Sequence, residues 1–169
     1  SPVRVVAIDL GDVRTGVAVG DRVTGIASPA GLIETPIGRE GGEALLRGIA
    51  GQVRSLVGGE GAEVVVGLPL NMDGTEGPRA GLVRAFAARI AGALGTPVIL
   101  VDERRTTVEA DERMARSGLT HKQKKMRRDA IAAAAVLRAF LAGEGIVGVV
   151  GGGAGERSGG GENGRTAAG

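Results

Sequence analysis

Val-Arg-Val-Val-Ala-Ile-Asp-Leu-Gly-Asp-Val-Arg-Thr-Gly-Val-Ala-Val, residues 3–19, is the stretch from which the fold is read. Val5, Val6, Ala7 and Ile8 form a short apolar, largely β-branched run that ends at a turn, the pattern of a buried strand. Asp9 closes that strand. A carboxylate there is costly to desolvate unless a cation meets it. Gly11 lets the backbone bend and come close to a ligand. Gly16 opens a second run, Val17 to Val19, which returns as a hairpin partner. Strand, carboxylate, turn and returning strand suit a divalent metal or a phosphate. The same residues also suit an Asp that merely caps its own turn.

Outward from the hairpin, residues 24–35 read as a third strand, with Pro29 and Gly31 marking an edge or a bulge. Residues 43–57 show helical spacing, ended by Gly58-Gly59. Residues 63–67 are a fully apolar strand, followed by the turn-rich loop 68–77. Residues 78–94 read as a helix and 97–101 as a second buried strand, running directly into Asp102 and Glu103. A helix over 107–116 carries Glu109/Arg113 and Glu112/Arg116 pairs. A polar loop over 118–124 leads into a last helix beginning at Asp129. This order predicts an α/β fold, a mixed five-stranded sheet flanked by helices. An antiparallel three-strand meander precedes two parallel strands. Residues 1–142 form the domain. Residues 143–169 are an expected Gly-rich, largely disordered tail, with 143–150 ambiguous as a short apolar extension.

Composition narrows the chemistry. The 169 residues contain no Cys, no Trp, no Tyr, one His and two Phe. Thiolate and clustered-His metal sites are excluded, so any metal must be oxygen-ligated, which favours magnesium, manganese or calcium. Base stacking on aromatic side chains is excluded as well. The net charge of +2 is compatible with nucleic acid without being diagnostic of it. No stretch reads as a membrane span or a signal peptide, and the expected location is cytoplasmic.

Asp9, the Asp102–Glu103 pair and Asp129 each sit where a regular element starts or ends. Ligands gather outside the carboxyl ends of parallel strands. Converging carboxylates repel, and divalent ions roughly 4 Å apart would relieve them while clamping a phosphodiester. The cations Lys122, Lys124, Lys125, Arg127 and Arg128 would hold the nucleic acid backbone. Each feature has a plainer reading. Asp102–Glu103 could be a surface turn, Asp129 a carboxylate at a helix N-terminus, and the basic run a solvated face. Glu109, Asp111 and Glu112 could be surface pairs, His121 a loop residue, and Asp73 a turn former rather than a fourth ligand.

Four blocks resemble one family: residues 7–18 (AIDLGDVRTGVA), 66–77 (VGLPLNMDGTEG), 102–107 (DERRTT) and 128–137 (RDAIAAAAVL). They look like the motifs of the YqgF-type (RuvX) family, Holliday-junction-resolvase-like nucleases of the ribonuclease H fold. The likeness runs in order from about residue 3 to residue 141. It implies a metal-dependent nuclease using magnesium or manganese. The implied task is processing the 5′ end of precursor 16S ribosomal RNA in ribosome biogenesis, or resolving DNA junctions. By position it implies Asp9, Glu103 and Asp129 as catalytic acids, with Asp102 beside Glu103 as a further ligand. Gly11, Arg14, Gly16, Asn71, Gly74, Arg104, Thr106 and Lys124 fall on motif positions that would shape the substrate groove. Arg105 departs from the pattern, where an aliphatic residue is expected. Action on a two-fold junction would favour a homodimer. Two other classes stay open. One is a nucleotide-binding module, because the first block also resembles the phosphate loop of actin-like and sugar-kinase ATPases. The other is an assembly factor that binds nucleic acid with little catalysis.

Overall fold

The computed structural model describes residues 4–58, 61–105 and 121–151. Strand β1 (Arg4–Leu10) turns into β2 (Thr15–Asp21), and β3 (Ala27–Ile33) completes the meander. A short 3-10 turn (Arg39–Gly42) leads into α1 (Glu43–Val57), then β4 (Glu63–Leu68), α2 (Pro78–Leu94) and β5 (Val98–Asp102). A 3-10 turn (Glu103–Arg105) follows β5; after it come α3 (His121–Leu141) and β6 (Ile146–Val150).

The strands lie in the order β3-β2-β1-β4-β5-β6. β1 pairs antiparallel with β2 and parallel with β4, and β4 pairs parallel with β5. The α/β mixed sheet is thus the predicted one, with one strand more. β3 is an edge strand, and its ladder with β2 shifts register between Val17 and Ala18, as Pro29 and Gly31 foretell.

The sixth strand corrects the expected count of five. β6 lies in the stretch assigned to the tail and pairs antiparallel with β5. Gly143, Gly145 and Gly148 dilute its pattern, and it is the far edge of the sheet, so Ile146 and Val149 stay more than half exposed. Residues 152–169 lie outside the described residues, as does the helix expected over 107–116.

Strand alternation sorts the core into two layers. Val6, Ile8, Leu10, Val17, Val64, Val66, Val98 and Leu100 face α1 and α2. Val5, Ala7, Ala18, Val65 and Val101 face α3. α3 is alanine-rich on its buried side, with Ala133, Ala134 and Leu137 packed on the sheet. On β2 it meets the small residues Gly16, Ala18 and Gly20, and this lane brings helix and sheet backbones close together.

α3 begins at His121, not at Asp129. Its first two turns are polar and carry no apolar stripe, so they do not announce themselves as helix. Asp129 therefore stands inside the helix, and the plainer reading of it as a carboxylate at the helix start does not hold.

Candidate active site

β1, β4 and β5 are parallel, so their carboxyl ends share one edge of the sheet, where the β1–β2 turn, the β4–α2 loop and the turn after β5 all emerge. Asp9, next to last in β1, alternates with Val5 and Ala7 and so lies on the α3 face. Burial pushes its carboxyl up from 3.8 to about 8; the charges of Glu103 and then Asp129 push the same way, and Arg79 opposes them. The three acids, distant in sequence, therefore act on one another through space.

The alternation also separates Asp102 from Glu103. Asp102 pairs in register with Leu68, which belongs to the α1/α2 layer, so Asp102 faces that layer and is 3% exposed. Arg104 wraps around it. The Arg104 backbone N–H donates to Oδ1 at 2.9 Å, and its guanidinium donates to Oδ1 and Oδ2 at 2.9–3.2 Å. Glu103 lies on the other side. Its side chain crosses Gly67 of β4, where an added Cβ would stand 2.9 Å from Glu103 Cγ and 3.0 Å from Val136 Cγ2. Burial raises the Glu103 carboxyl, with Arg79 opposing and Asp102 adding to the rise.

Asp129 reaches the site from α3 because Gly16 lets the helix in. A Cβ on Gly16 would stand 2.0 Å from the Asp129 carbonyl oxygen. The Asp129 carboxylate meets Arg14, whose Nε lies 3.5 Å from Oδ2. That Nε is buried and makes no hydrogen bond with the described residues, so its contact with Asp129 is one of charge. Arg14 sits at the end of the β1–β2 turn. Gly11 keeps that turn tight, since a Cβ there would lie 2.3 Å from the Arg14 carbonyl oxygen.

The β4–α2 loop is fastened from within. The Asn71 amide nitrogen donates to Thr75 Oγ1 at 3.0 Å, and Arg104 donates to the carbonyls of Met72 at 2.8 Å and Asn71 at 3.3 Å. Asn71 and Arg104, expected on the substrate groove, thus have polar groups engaged in shaping the loop. Gly74 takes φ +88 in that loop, a left-handed conformation suited to glycine. Arg128 is exposed on α3. Thr106 and the side chains of Lys122, Lys124, Lys125 and Arg127 lie outside what the structure describes.

Sequence reasoning passed over Arg79. It is the second residue of α2, donates to the Leu10 carbonyl at 2.9 Å, and pairs with Asp12 of the β1–β2 turn. It is the cation that opposes the upward shifts of both Asp9 and Glu103. A signal was available. An arginine in a helix's first turn opposes the macrodipole, so a specific partner is the natural explanation.

The donor chemistry fits a hard divalent cation: oxygen atoms only, on carboxylates that repel one another and would ionise beside a positive charge. The fit is of chemistry and not yet of closure. Among the described residues, no three His, Cys, Asp or Glu side chains are gathered to hold one ion, and Asp129 is turned toward Arg14. Among the described residues, no helix is long and apolar enough to cross a membrane.

Known proteins are similar to this chain in sequence. A protein of Anaeromyxobacter sp. (strain K) named "Putative pre-16S rRNA nuclease" is 44% identical over 138 residues, covering 82% of this chain and 96% of its own. One of the same name from Pelotomaculum thermopropionicum is 39% identical over 142 residues, covering 84% of this chain and 88% of its own. Among solved structures, Thermus thermophilus RuvC in complex with a Holliday junction substrate aligns with 86% of this chain and 99% of its own, at 14% identity and a TM-score of 0.47. The family signature described as "RuvX: Holliday junction resolvase" spans residues 3–143, taking in β1 with Asp9, the Asp102–Glu103 step and all of α3. The chain belongs to the RuvX family.

Proposed function

We propose that this protein is a divalent-metal-dependent nuclease that hydrolyses phosphodiester bonds in structured nucleic acid, with the 5′ end of precursor 16S ribosomal RNA as its substrate. The observation that carries this reading is the placement of Asp9, Glu103 and Asp129 at the carboxyl end of the sheet, with Glu103 over Gly67 and α3 against Gly16, where burial and both neighbouring acids push the Asp9 carboxyl up. An acid kept in that condition is suited to meeting a cation. The names of the relatives support the substrate, and the mildly basic character of the chain is consistent with it.

Asp9, Glu103 and Asp129 would hold magnesium or manganese. Such an ion, when bound, supplies Lewis-acid polarisation of a phosphoryl oxygen and lowers the pKa of a coordinated water. The chain's residues do the rest. Asp102 fixes Arg104, and Arg104 fixes the β4–α2 loop at the carboxyl end of the sheet. Arg79 ties the β1–β2 turn to α2, which sets the position of Asp9. Arg14, beside Asp129, would neutralise a substrate phosphate together with Arg128 and the basic residues before it.

The test offers the purified full chain, with manganese, two substrates: an RNA carrying the precursor 5′ extension and a four-way DNA junction. Cleavage of the RNA that needs the metal and falls by about a hundredfold or more in Asp9→Asn upholds the reading. Cleavage of the junction alone would transfer the activity to DNA resolution, in keeping with the family's description. Tight RNA binding with no cleavage of either substrate would make the protein an assembly factor. Undiminished cleavage by Asp9→Asn would refute the assignment of the site.

A further inference from the structure

A nuclease that acts on structured nucleic acid must open or bend the strand it cuts, and proteins commonly do so with an inserted side chain. Aromatic side chains are not available here. Phe86 and Phe140 are the chain's only Phe, Tyr or Trp residues, and both are buried.

The β4–α2 loop offers something else. Met72 is 90% exposed, more than any other large apolar residue described. A mobile loop could carry such a residue at random, but this one is closed by its own bonds. The Asn71 N–H donates to the Thr75 carbonyl at 2.9 Å and the Gly74 N–H to the Asn71 carbonyl at 2.8 Å. Asp73 Oδ1 accepts from the Thr75 N–H at 3.0 Å and from its hydroxyl at 2.6 Å. The Met72 carbonyl is gripped by Arg104, itself locked on buried Asp102. The backbone of Met72 is thus held firmly while its side chain stands 90% exposed. The loop leaves the same edge of the sheet as Asp9 and Glu103. From the neighbouring β1–β2 turn, Val13 is also 56% exposed.

We propose that Met72 is a wedge that enters the base stack of the nucleic-acid substrate and unstacks the step beside the bond to be cut. A thioether is long, unbranched and polarisable, so it accepts any base face and imposes little sequence preference. Methionine is among the apolar side chains that proteins insert between base steps. The fastening of the loop gives the wedge its purpose, because a side chain that must force stacked bases apart cannot sit on a backbone that yields. This inference rests on the nuclease reading for its substrate.

The experiment uses the full chain and a stem–loop RNA carrying 2-aminopurine at successive stem positions, in EDTA to prevent hydrolysis. Wild type is expected to raise the fluorescence at one step. Met72→Leu should keep the rise, and Met72→Gln, of similar length but polar, should lose it. RNA affinity measured by anisotropy should fall about tenfold in Met72→Gln, the scale of one lost stacking contact. The melting temperature should be unchanged, because the side chain is almost fully exposed in the free protein. A rise that survives Met72→Gln, a bound wild type that brightens no position, or a wild type that binds no RNA would each overturn the proposal. A parallel reaction in manganese separates the two ideas. Cleavage without any fluorescence rise sinks the wedge and leaves the nuclease standing. A Met72-dependent rise without cleavage upholds the wedge and sinks the nuclease.

Discussion

Gly16→Ala tests the joint on which the third acid depends. An ideal Cβ at Gly16 lies 2.0 Å from the Asp129 carbonyl oxygen, 2.6 Å from its carbonyl carbon and 3.1 Å from the Ala130 nitrogen. Real Cβ contacts essentially never fall under 3.0 Å, so β2 and α3 must separate by about 1 Å. Both sides of the contact are backbone, and no rotamer change relieves it. Overpacking of this kind costs about 1–3 kcal/mol. Relief of glycine's strand entropy returns roughly 0.5–1 kcal/mol. The net loss of about 1–2 kcal/mol corresponds to a fall in melting temperature of about 3–8 °C for a domain this size. Catalysis should suffer more than stability, because a displacement of about 1 Å in a catalytic group can cost about a hundredfold in rate. The assays are a thermal melt and manganese-supported cleavage. The control is Gly51→Ala on α1, where a Cβ meets nothing and better helix propensity should stabilise slightly. A Gly16→Ala protein that melts and cleaves like wild type would refute the close docking of α3 on β2.

Three further outcomes are expected. The Asp9 carboxyl is raised in the folded state, so its contribution to stability is complete below its ordinary value of 3.8 and is lost as pH rises toward about 8. The melting temperature of the metal-free protein, compared with Asp9→Asn across pH 4–8, should therefore fall further in wild type, and manganese at pH 8 should close the gap; parallel curves would contradict the burial of Asp9. Arg104→Ala strips the partner from an Asp102 that is 3% exposed. Chemical denaturation should show a loss of stability, smaller than for a fully buried pair because Arg104 is exposed to solvent, and proteolysis should reach the β4–α2 loop. Arg79→Met removes the cation that opposes the shifts of Asp9 and Glu103. Carbon-detected NMR titration of the metal-free protein should place the Asp9 carboxyl higher than in wild type, and an unmoved carboxyl would exclude Arg79 from the site.

Most of the scaffold was legible because its signals are local. The ends of α2 fall at the expected residues, with Pro78 opening the helix and Gly95, in a left-handed conformation at φ +69, closing it. The parallel strands follow from apolar runs joined by helical crossovers. β6 was ambiguous because its glycines dilute the pattern and its outer side pairs with no described strand. The site was only half legible for a different reason. Which of Asp102 and Glu103 shares a face with Asp9 depends on the register of three strands, and Leu68 opposite Asp102 settles that only once β4 and β5 are paired. Gly16 and Gly67 matter through what lies on them, a helix backbone and the Glu103 side chain, and neither neighbour is near in sequence.

The electrostatics of the site argue against a purely structural role for its acids. Two exposed carboxylates that fasten the β4–α2 segment are driven below their usual range. Thr75 does this to Asp73, and Arg84 does it to Glu76. At the carboxyl end of the sheet the direction is opposite. Burial and neighbouring acids raise Asp9, and the opposing charge of Arg79 leaves it near 8. A carboxylate that folding makes harder to ionise works against the fold at neutral pH, and an isosteric amide would avoid that cost. Glu103 over Gly67 and Asp129 beside Gly16 are brought toward Asp9 by the omission of side chains that would have kept them away. The polypeptide thus keeps an unfavourable concentration of acid at the carboxyl end of the sheet, and under the proposed function a cation from solution would turn that repulsion into binding.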